Sequence, residues 1–427
     1  MTAIAALRGF EVLDSRGSPT LEVEVELADG AIGSAIVPSG ASVGSAEAVE
    51  LRDGDADRFL GKGVRKAIRH VHNEIQQSVV GENSLNQRDV DTLLLEIDGT
   101  KDKSKLGSNA TLGVSLAFAR AHANSKRVPL YSHISDLCEN ADMRMPVPMM
   151  NVLNGGAHAN NRIDLQEFMI VPAGMSDMAS AVRCGAEVFQ CLKRRLEEEG
   201  HSTAVGDEGG FAPNLESDRE ALHFLALAIE DARYQLGSDV VLALDCAATE
   251  FHTEDGYILR GSDQPLNGDA FINYLDDLAA MYPIVSIEDG LAEDDWDSWR
   301  SLTDRLGSKM QLVGDDIFVT NPRFLQKGID CGIANSILIK VNQIGTLTET
   351  LDVIALAKSA GYRTVISHRS GDTEDTFIAD LAVGTGAGQI KTGSLCRSER
   401  TSKYNRLVRI EAEAAGLSGY RGLREIF

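Results

Sequence analysis

The sequence predicts an α/β fold: a (β/α)8 TIM-like barrel over about residues 139–427, preceded by a smaller α+β domain over 1–138. Three observations predict it. After about residue 140, short apolar runs recur and each closes on a polar or charged group: TAVGDEGG at Glu208, VVLALDCA at Asp245, PIVSIEDG at Glu288, MQLVGDDI at Asp315, SILIKVN at Lys340, RTVISHRSGD at His368 and Arg369, and GQIKTGS at Lys391. The marked residues lie 23 to 43 positions apart, with helical patterns between several of them. Repeated strand-plus-helix units of that length build a parallel α/β architecture, and the stretch has the size of a barrel. The chain before residue 140 has a different rhythm.

LEVEVELADG (21–30) alternates strictly and ends in a turn signal, so it reads as a strand with one solvated face. AIGSAIVPSG continues as a second strand, paired as a hairpin across Asp29-Gly30. In VRKAIRHVHNEI, residues Val64, Ala67, Ile68, Val71 and Ile75 share one helical face. NATLGVSLAFARAHA reads as a buried helix of small residues. In the second part, TETLDVIALAKSAGY reads as a helix closed by Gly361. A doubly wound sheet is the alternative architecture, and GTGAGQI (384–390) offers it glycines. Those glycines precede a strand-like run instead of following a strand and opening a helix, which speaks against a dinucleotide loop.

Composition narrows the function. The 427 residues carry a net charge of −23, which argues against general nucleic-acid binding. An anionic substrate would therefore need metal ions or a local cluster of Lys and Arg. No apolar run reaches about 18 residues, so no membrane span is expected. The N-terminus MTAIAALRGFEVLDSRG lacks a basic start and its apolar run breaks at Arg8, unlike a secretion signal. Six scattered cysteines without a CxxC pair fit a reduced, cytoplasmic protein.

Asp245, Glu288 and Asp315, each at a strand end, make a hard all-oxygen site suited to Mg²⁺ or Mn²⁺. Any one of these acids alone is as well explained as a helix N-cap or a solvated loop residue. Three at successive units are not. Lys340 sits inside an apolar run, where burial and nearby cations lower an amine's pKa. A metal on the three carboxylates would be such a cation, and Lys391 another. A neutral amine beside a divalent ion can remove a proton α to a carboxylate. A lysine snorkelling to solvent is the plainer alternative. Arg369 and Ser370 in SHRSG match a phosphate, although the same residues suit an ordinary polar turn. Glu208 lies in GDEGG, where glycines can present it tightly. His158 and Glu167, in GGAHANNRIDLQEF, carry no signal alone.

Together these motifs resemble the enolase family, and its bacterial forms most closely. The likeness runs from EVLDSRGSPTLEVEV through VPSGAS, NVLNGG, GDEGGFAPN, SIEDG, VGDDIFVTNP, ILIKVNQIGTLTET and SHRSGDTEDTFIADLAVG to GQIKTGSLCRSERTSKYNRL. It implies a modified barrel behind an N-terminal α+β domain. It implies a glycolytic and gluconeogenic lyase that reversibly dehydrates 2-phospho-D-glycerate to phosphoenolpyruvate through an enediolate, with two Mg²⁺ per site, the second bound with substrate. Asp245, Glu288 and Asp315 match the first metal's ligands, and Ser42 a loop ligand of the second. Lys340 matches the general base, Glu208 the general acid, and Glu167 a carboxylate beside the leaving group. His158 matches a loop residue closing on the phosphate. Arg369 and Ser370 match the phosphate clamp, Lys391 a partner of the substrate carboxylate, and His368 a nearby active-site histidine. The loop departs from the family pattern at Val43, Ser45 and Ala46, while Ser42 and Gly44 are kept. The resemblance further implies a cytoplasmic homodimer, with an octamer, a surface or secreted fraction, and partners in an RNA-degradation complex left open. Its rivals are another enolase-superfamily dehydratase, racemase or cycloisomerase, which would not need the SHRSG, GDEGG and SGAS elements together, and a non-enzymatic scaffold or adhesin role.

Overall fold

Two sheets organise the chain. In the computed structural model, residues 3–40, 44–82, 85–139, 142–260, 264–414, 417 and 419–427 are described; Ser42 and Val43 lie outside them. Strands β1 (Ile4–Leu13), β2 (Pro19–Leu27) and β3 (Ile32–Ile36) form an antiparallel sheet in that order. The β2–β3 hairpin pairs Glu26 with Ile32 and Glu22 with Ile36, as the alternating pattern predicts. Val23, Val25 and Ala35 face inward, against the helix Ser108–Lys126, whose small side chains are almost all buried. Gly33 lets that helix approach: a Cβ there would stand 2.2 Å from the Ala121 nitrogen. The expected amphipathic helix begins at Arg65 and passes through a π-helical turn at Val71–Ile75, with Val64, Ala67, Val71 and Ile75 buried.

Eight further strands close a barrel: β4 (Val147–Asn154), β5 (Glu167–Val171), β6 (Val241–Asp245), β9 (Ile284–Glu288), β10 (Gln311–Gly314), β11 (Ser336–Ile339), β12 (Arg363–Ser367) and β13 (Gly388–Lys391). A short hairpin, β7 (His252–Thr253) with β8 (Gly256–Tyr257), lies between β6 and β9. Around the barrel the order is β10-β11-β12-β13-β4-β5-β6-β9. Val147, Met149, Met169, Val171, Val241, Val313, Leu338 and Val365 fill the interior, joined by Ile426 from the chain's end. The helix Leu347–Ser359 ends as predicted, with Gly361 at φ 79°.

Two details depart from uniform strand-and-helix repeats. β5 pairs antiparallel with both β4 and β6, so it runs against the rest of the barrel. TAVGDEGG is a loop, held by isolated bridges of Phe211 to Val205 and to Leu153. Its glycines are the reason: Gly209 sits at φ 87°, where a Cβ would meet the Cys396 carbonyl oxygen at 2.5 Å. A short run with three glycines makes a turn more readily than a barrel strand. GTGAGQI serves as a helix C-cap at Gly386 and the start of β13. All six cysteines are free. Among the described residues no helix is long and apolar enough to cross a membrane.

One buried pair makes stability pH-dependent. His133 is fully buried, neither ring nitrogen has a hydrogen-bond partner, and His122 meets it edge-on at 5.0 Å. Burial, then Lys126 and His122, push its pKa down to about 4. The unfolded ring titrates near 6.5, so between these values the unfolded chain binds more protons and stability falls as pH drops. His133→Leu is expected to flatten that acid limb by up to ~3 kcal/mol, read by denaturant melts at pH values either side of the window. An unchanged limb would contradict this.

Candidate active site

The rim of the barrel collects the charged residues because strands end there. Asp245, Glu288 and Lys391 are the last residues of β6, β9 and β13. Asp315 and Lys340 are the first residues past β10 and β11, and His368, Arg369 and Ser370 follow β12. Glu167 reaches the same rim as the first residue of β5, since β5 is reversed; the register sets it beside Asp245, and Asp245 beside Glu288. His158 closes a 3₁₀ turn after β4. Glu208 arrives from its glycine loop, whose Glu208 carbonyl accepts from the Ser394 amide past β13. All of these except Glu288 line one pocket, and Glu288 lies behind Lys391. Ser42 is outside the described residues.

The backbone just past these carboxylates is strained. Ala247, Asp289, Val319 and Thr320 all hold φ between 41° and 50°. Such conformations are costly for residues with a Cβ and cluster at functional sites. Thr320 shows what holds one of them. Its hydroxyl oxygen accepts from the Lys340 amide, and its O–H donates to Gln343. Gln343 in turn donates to Asp315 Oδ1 at 3.0 Å, fixing that carboxylate.

The electrostatics are those of a crowded ionic cluster. Lys391 Nζ is 2.8 Å from Asp245, 2.9 Å from Glu288 and 3.3 Å from Glu167. Lys340 contacts Asp315 directly. Burial lowers the Lys340 pKa, and Asp315 more than reverses this, so the amine is held charged. Burial, then Asp245, raise Glu288 well above the carboxylate range against the pull of Lys391. Glu288 Oε2 is buried with no hydrogen-bond partner. Glu167 is likewise raised by burial and then by Glu208. The ligand atoms of His158, Glu167 and Glu208 lie within 4.8 Å of one another, and against its burial His368 and then His158 hold Glu208 well below the carboxylate range, so the two carboxyls titrate as a pair. Arg369 is gripped by Glu47, at 2.9 and 3.2 Å, and by Asn342 at 3.0 Å.

The oxygens of Asp245, Glu288 and Asp315 have the chemistry a divalent cation takes, while the groups whose donor atoms gather within 4.8 Å, and so could hold an ion, are His158–Glu167–Glu208 and Asp289–Asp315–Asp316. Asp245, Glu288 and Asp315 are buried hard oxygens, one of them orphaned at Oε2, and lysine ammonium groups sit among them as cations do. In the second of those groups Asp289 and Asp316 join Asp315, the one predicted metal ligand that falls in either. Asp289 takes the amides of Asp315 and Asp316, which ties β9 to β10. Burial, then Asp315, push Asp316 up to about 7. Asp289 and Asp316 stand in IEDG and GDD, each next to one of the predicted metal ligands, so adjacency is the signal that could have found them. Glu47 and Asn151, which donates to Glu208 at 3.1 Å, have no such signal.

A barrel mouth lined by lysines and crowded carboxyls is laid out for acid–base chemistry in an α/β barrel. Residues 142–426 match the family model "Enolase, C-terminal TIM barrel domain", and residues 4–134 match "Enolase, N-terminal domain". The chain belongs to the enolase family.

Proposed function

We propose that the chain catalyses the reversible, Mg²⁺-dependent dehydration of 2-phospho-D-glycerate to phosphoenolpyruvate. The observation that carries this is the order of residues around the rim. Lys340 just past β11 and Glu167 on β5 are four strands apart in a ring of eight, so the base faces the carboxyl pair of Glu167 and Glu208 across the mouth. The arc of β6, β9 and β10 between them bears the three metal-type carboxylates, and the other arc bears His368, Arg369, Ser370 and Lys391. An elimination that takes a proton from one carbon and hydroxyl from the next needs such opposed groups.

A cation held by Asp245, Glu288 and Asp315 would polarise a substrate carboxylate and make its α-proton acidic. With Asp315 engaged as a ligand, burial and the Arg369 guanidinium both act to lower the Lys340 pKa, the direction a base needs. Lys340 then accepts the α-proton at Nζ. The pair of Glu208 and Glu167 delivers its proton to the departing hydroxyl, with Glu208 as general acid. Arg369 and Ser370 bind the phosphate once Glu47 yields the guanidinium, with His158 closing beside them. Ser42 would help hold a second Mg²⁺. Lys391 pairs with the substrate carboxylate when the metal relieves it of Asp245 and Glu288.

The same reading makes 1–138 and 139–427 the two domains of a cytoplasmic homodimer. Phe10 and Leu13, exposed on edge strand β1, support self-association; Phe59 and Leu60 lie close by, since Arg58 stacks on Phe59 and pairs with Glu11. The test is ultraviolet absorbance from phosphoenolpyruvate when the protein meets 2-phosphoglycerate. Growth with Mg²⁺ and none with EDTA is expected. No growth from folded, metal-loaded protein would overturn the proposal.

A further inference from the structure

Arg400 lies in the helix Ser398–Glu413, is fully buried, and does not itself line the pocket. Its guanidinium reaches both loops that carry the acid side of the site. Nη1 donates to the Arg369 carbonyl at 2.6 Å, and Nη2 to the Ser370 carbonyl at 2.7 Å and the Asp207 carbonyl at 3.1 Å. Nη1 also stands 2.5 Å from Nδ1 of His368. Each of the four hydrogens on these two nitrogens has one acceptor.

A guanidinium has donors only. The nitrogen it faces must therefore accept, and a neutral imidazole that accepts at Nδ1 carries its proton at Nε2. Nε2 faces Glu208 Oε2 at 3.4 Å without closing a hydrogen bond to it, and that oxygen accepts from Asn151 Nδ2. Glu208 Oε1 accepts no hydrogen bond among the described residues.

We infer that Arg400 is a positioning residue that acts through His368. By holding Nδ1 as an acceptor it fixes the Nε2–H tautomer and aims that N–H at Glu208 Oε2, which leaves Oε1 as the oxygen that exchanges a proton with substrate. The catalytic half of this rests on the role proposed for Glu208; the tautomer does not. Burial, and Arg400 against Glu208, push the His368 pKa down to about 4, so the ring is neutral where the enzyme would work. Were the ring free to adopt the other tautomer, an imidazole lone pair would face the Glu208 carboxylate. The carboxyl would then turn away or take its proton on the wrong oxygen.

Two measurements on the full chain test this. A long-range ¹⁵N–¹H spectrum of histidine-labelled protein, with His368→Gln to assign the ring among nine histidines, is expected to show Nε2 protonated and Nδ1 bare at neutral pH. A protonated Nδ1, or a doubly protonated ring, would overturn the inference whatever the activity. Arg400→Met is expected to lower kcat for dehydration by ~10²-fold through misplacement of the acid. Exchange of the substrate α-proton with solvent should hold, since Lys340 is untouched, and Arg400→Lys should restore part of kcat. Equal losses of dehydration and exchange, or a rise in KM alone, would show a merely structural role. If Arg400→Met does not fold, the wild-type spectrum decides. No dehydration by the wild-type protein would overturn the reading of Glu208 and not the tautomer, which the spectrum settles separately.

Discussion

Lys340→Ala is expected to abolish both dehydration of 2-phosphoglycerate and exchange of its α-proton with deuterated solvent, while Glu208→Gln loses dehydration and keeps exchange. The split follows from where the two residues sit. Lys340 stands past β11 and Glu208 belongs to the group around β5, on opposite sides of the mouth. Proton removal needs only the first side. Loss of hydroxyl needs both. Each substitution should lower dehydration by ~10²–10⁴-fold, the usual worth of a positioned acid or base. Mass spectrometry of recovered substrate reads exchange, and absorbance of the product reads dehydration. If Glu208→Gln stopped exchange as completely as Lys340→Ala, the assignment of base and acid to opposite sides would fail. If Lys340→Ala still exchanged, another group would be the base.

Both residues lie in a site that is only partly legible in the amino-acid sequence. Asp245, Glu288, Asp315, Lys340, His368 and Lys391 each end an apolar run, and a parallel barrel turns that one-dimensional mark into a shared rim. The rule reads strand C-termini only. Glu167 escapes it because β5 is reversed, which puts its first residue at the mouth, and nothing in IDLQEFMIV announces the direction of a strand. Glu208 carries the mark for the wrong reason, since its run is a loop and not a strand. What holds these groups in place is not legible. Arg400 meets His368 across 32 residues of chain, and Glu47 meets Arg369 across 322. Contacts of that range are set by tertiary packing, and no local spacing encodes them. The N-terminal sheet is easier to read, because strict alternation in LEVEVEL fixes both strand and buried face.

Glu288→Gln is expected to raise the stability of the metal-free protein while removing most of its response to Mg²⁺. Glu288 is buried beside Asp245, with Oε2 unpartnered, and its folded pKa lies well above the ordinary value, through burial first and Asp245 second. The folded chain thus binds that proton more tightly than the unfolded chain. Metal-free stability therefore falls as pH rises from the ordinary carboxylate value through the folded one. A glutamine has no proton to lose there, can still accept from Lys391, and escapes that loss at neutral pH. The wild-type carboxylate is tolerable because a cation can compensate it, so binding should return the stability: about 2.7 kcal/mol at a hundredfold excess of Mg²⁺ over Kd. Melting curves of both proteins in EDTA and in Mg²⁺ read all four states. The expected pattern is a variant that melts above the wild type in EDTA and gains little from Mg²⁺. A variant that melts lower in EDTA would mean the Glu288 charge is already compensated by Lys391. A full Mg²⁺ response in the variant would remove Glu288 from the metal site and shift the binding to Asp289, Asp315 and Asp316, the other carboxylate cluster at the rim.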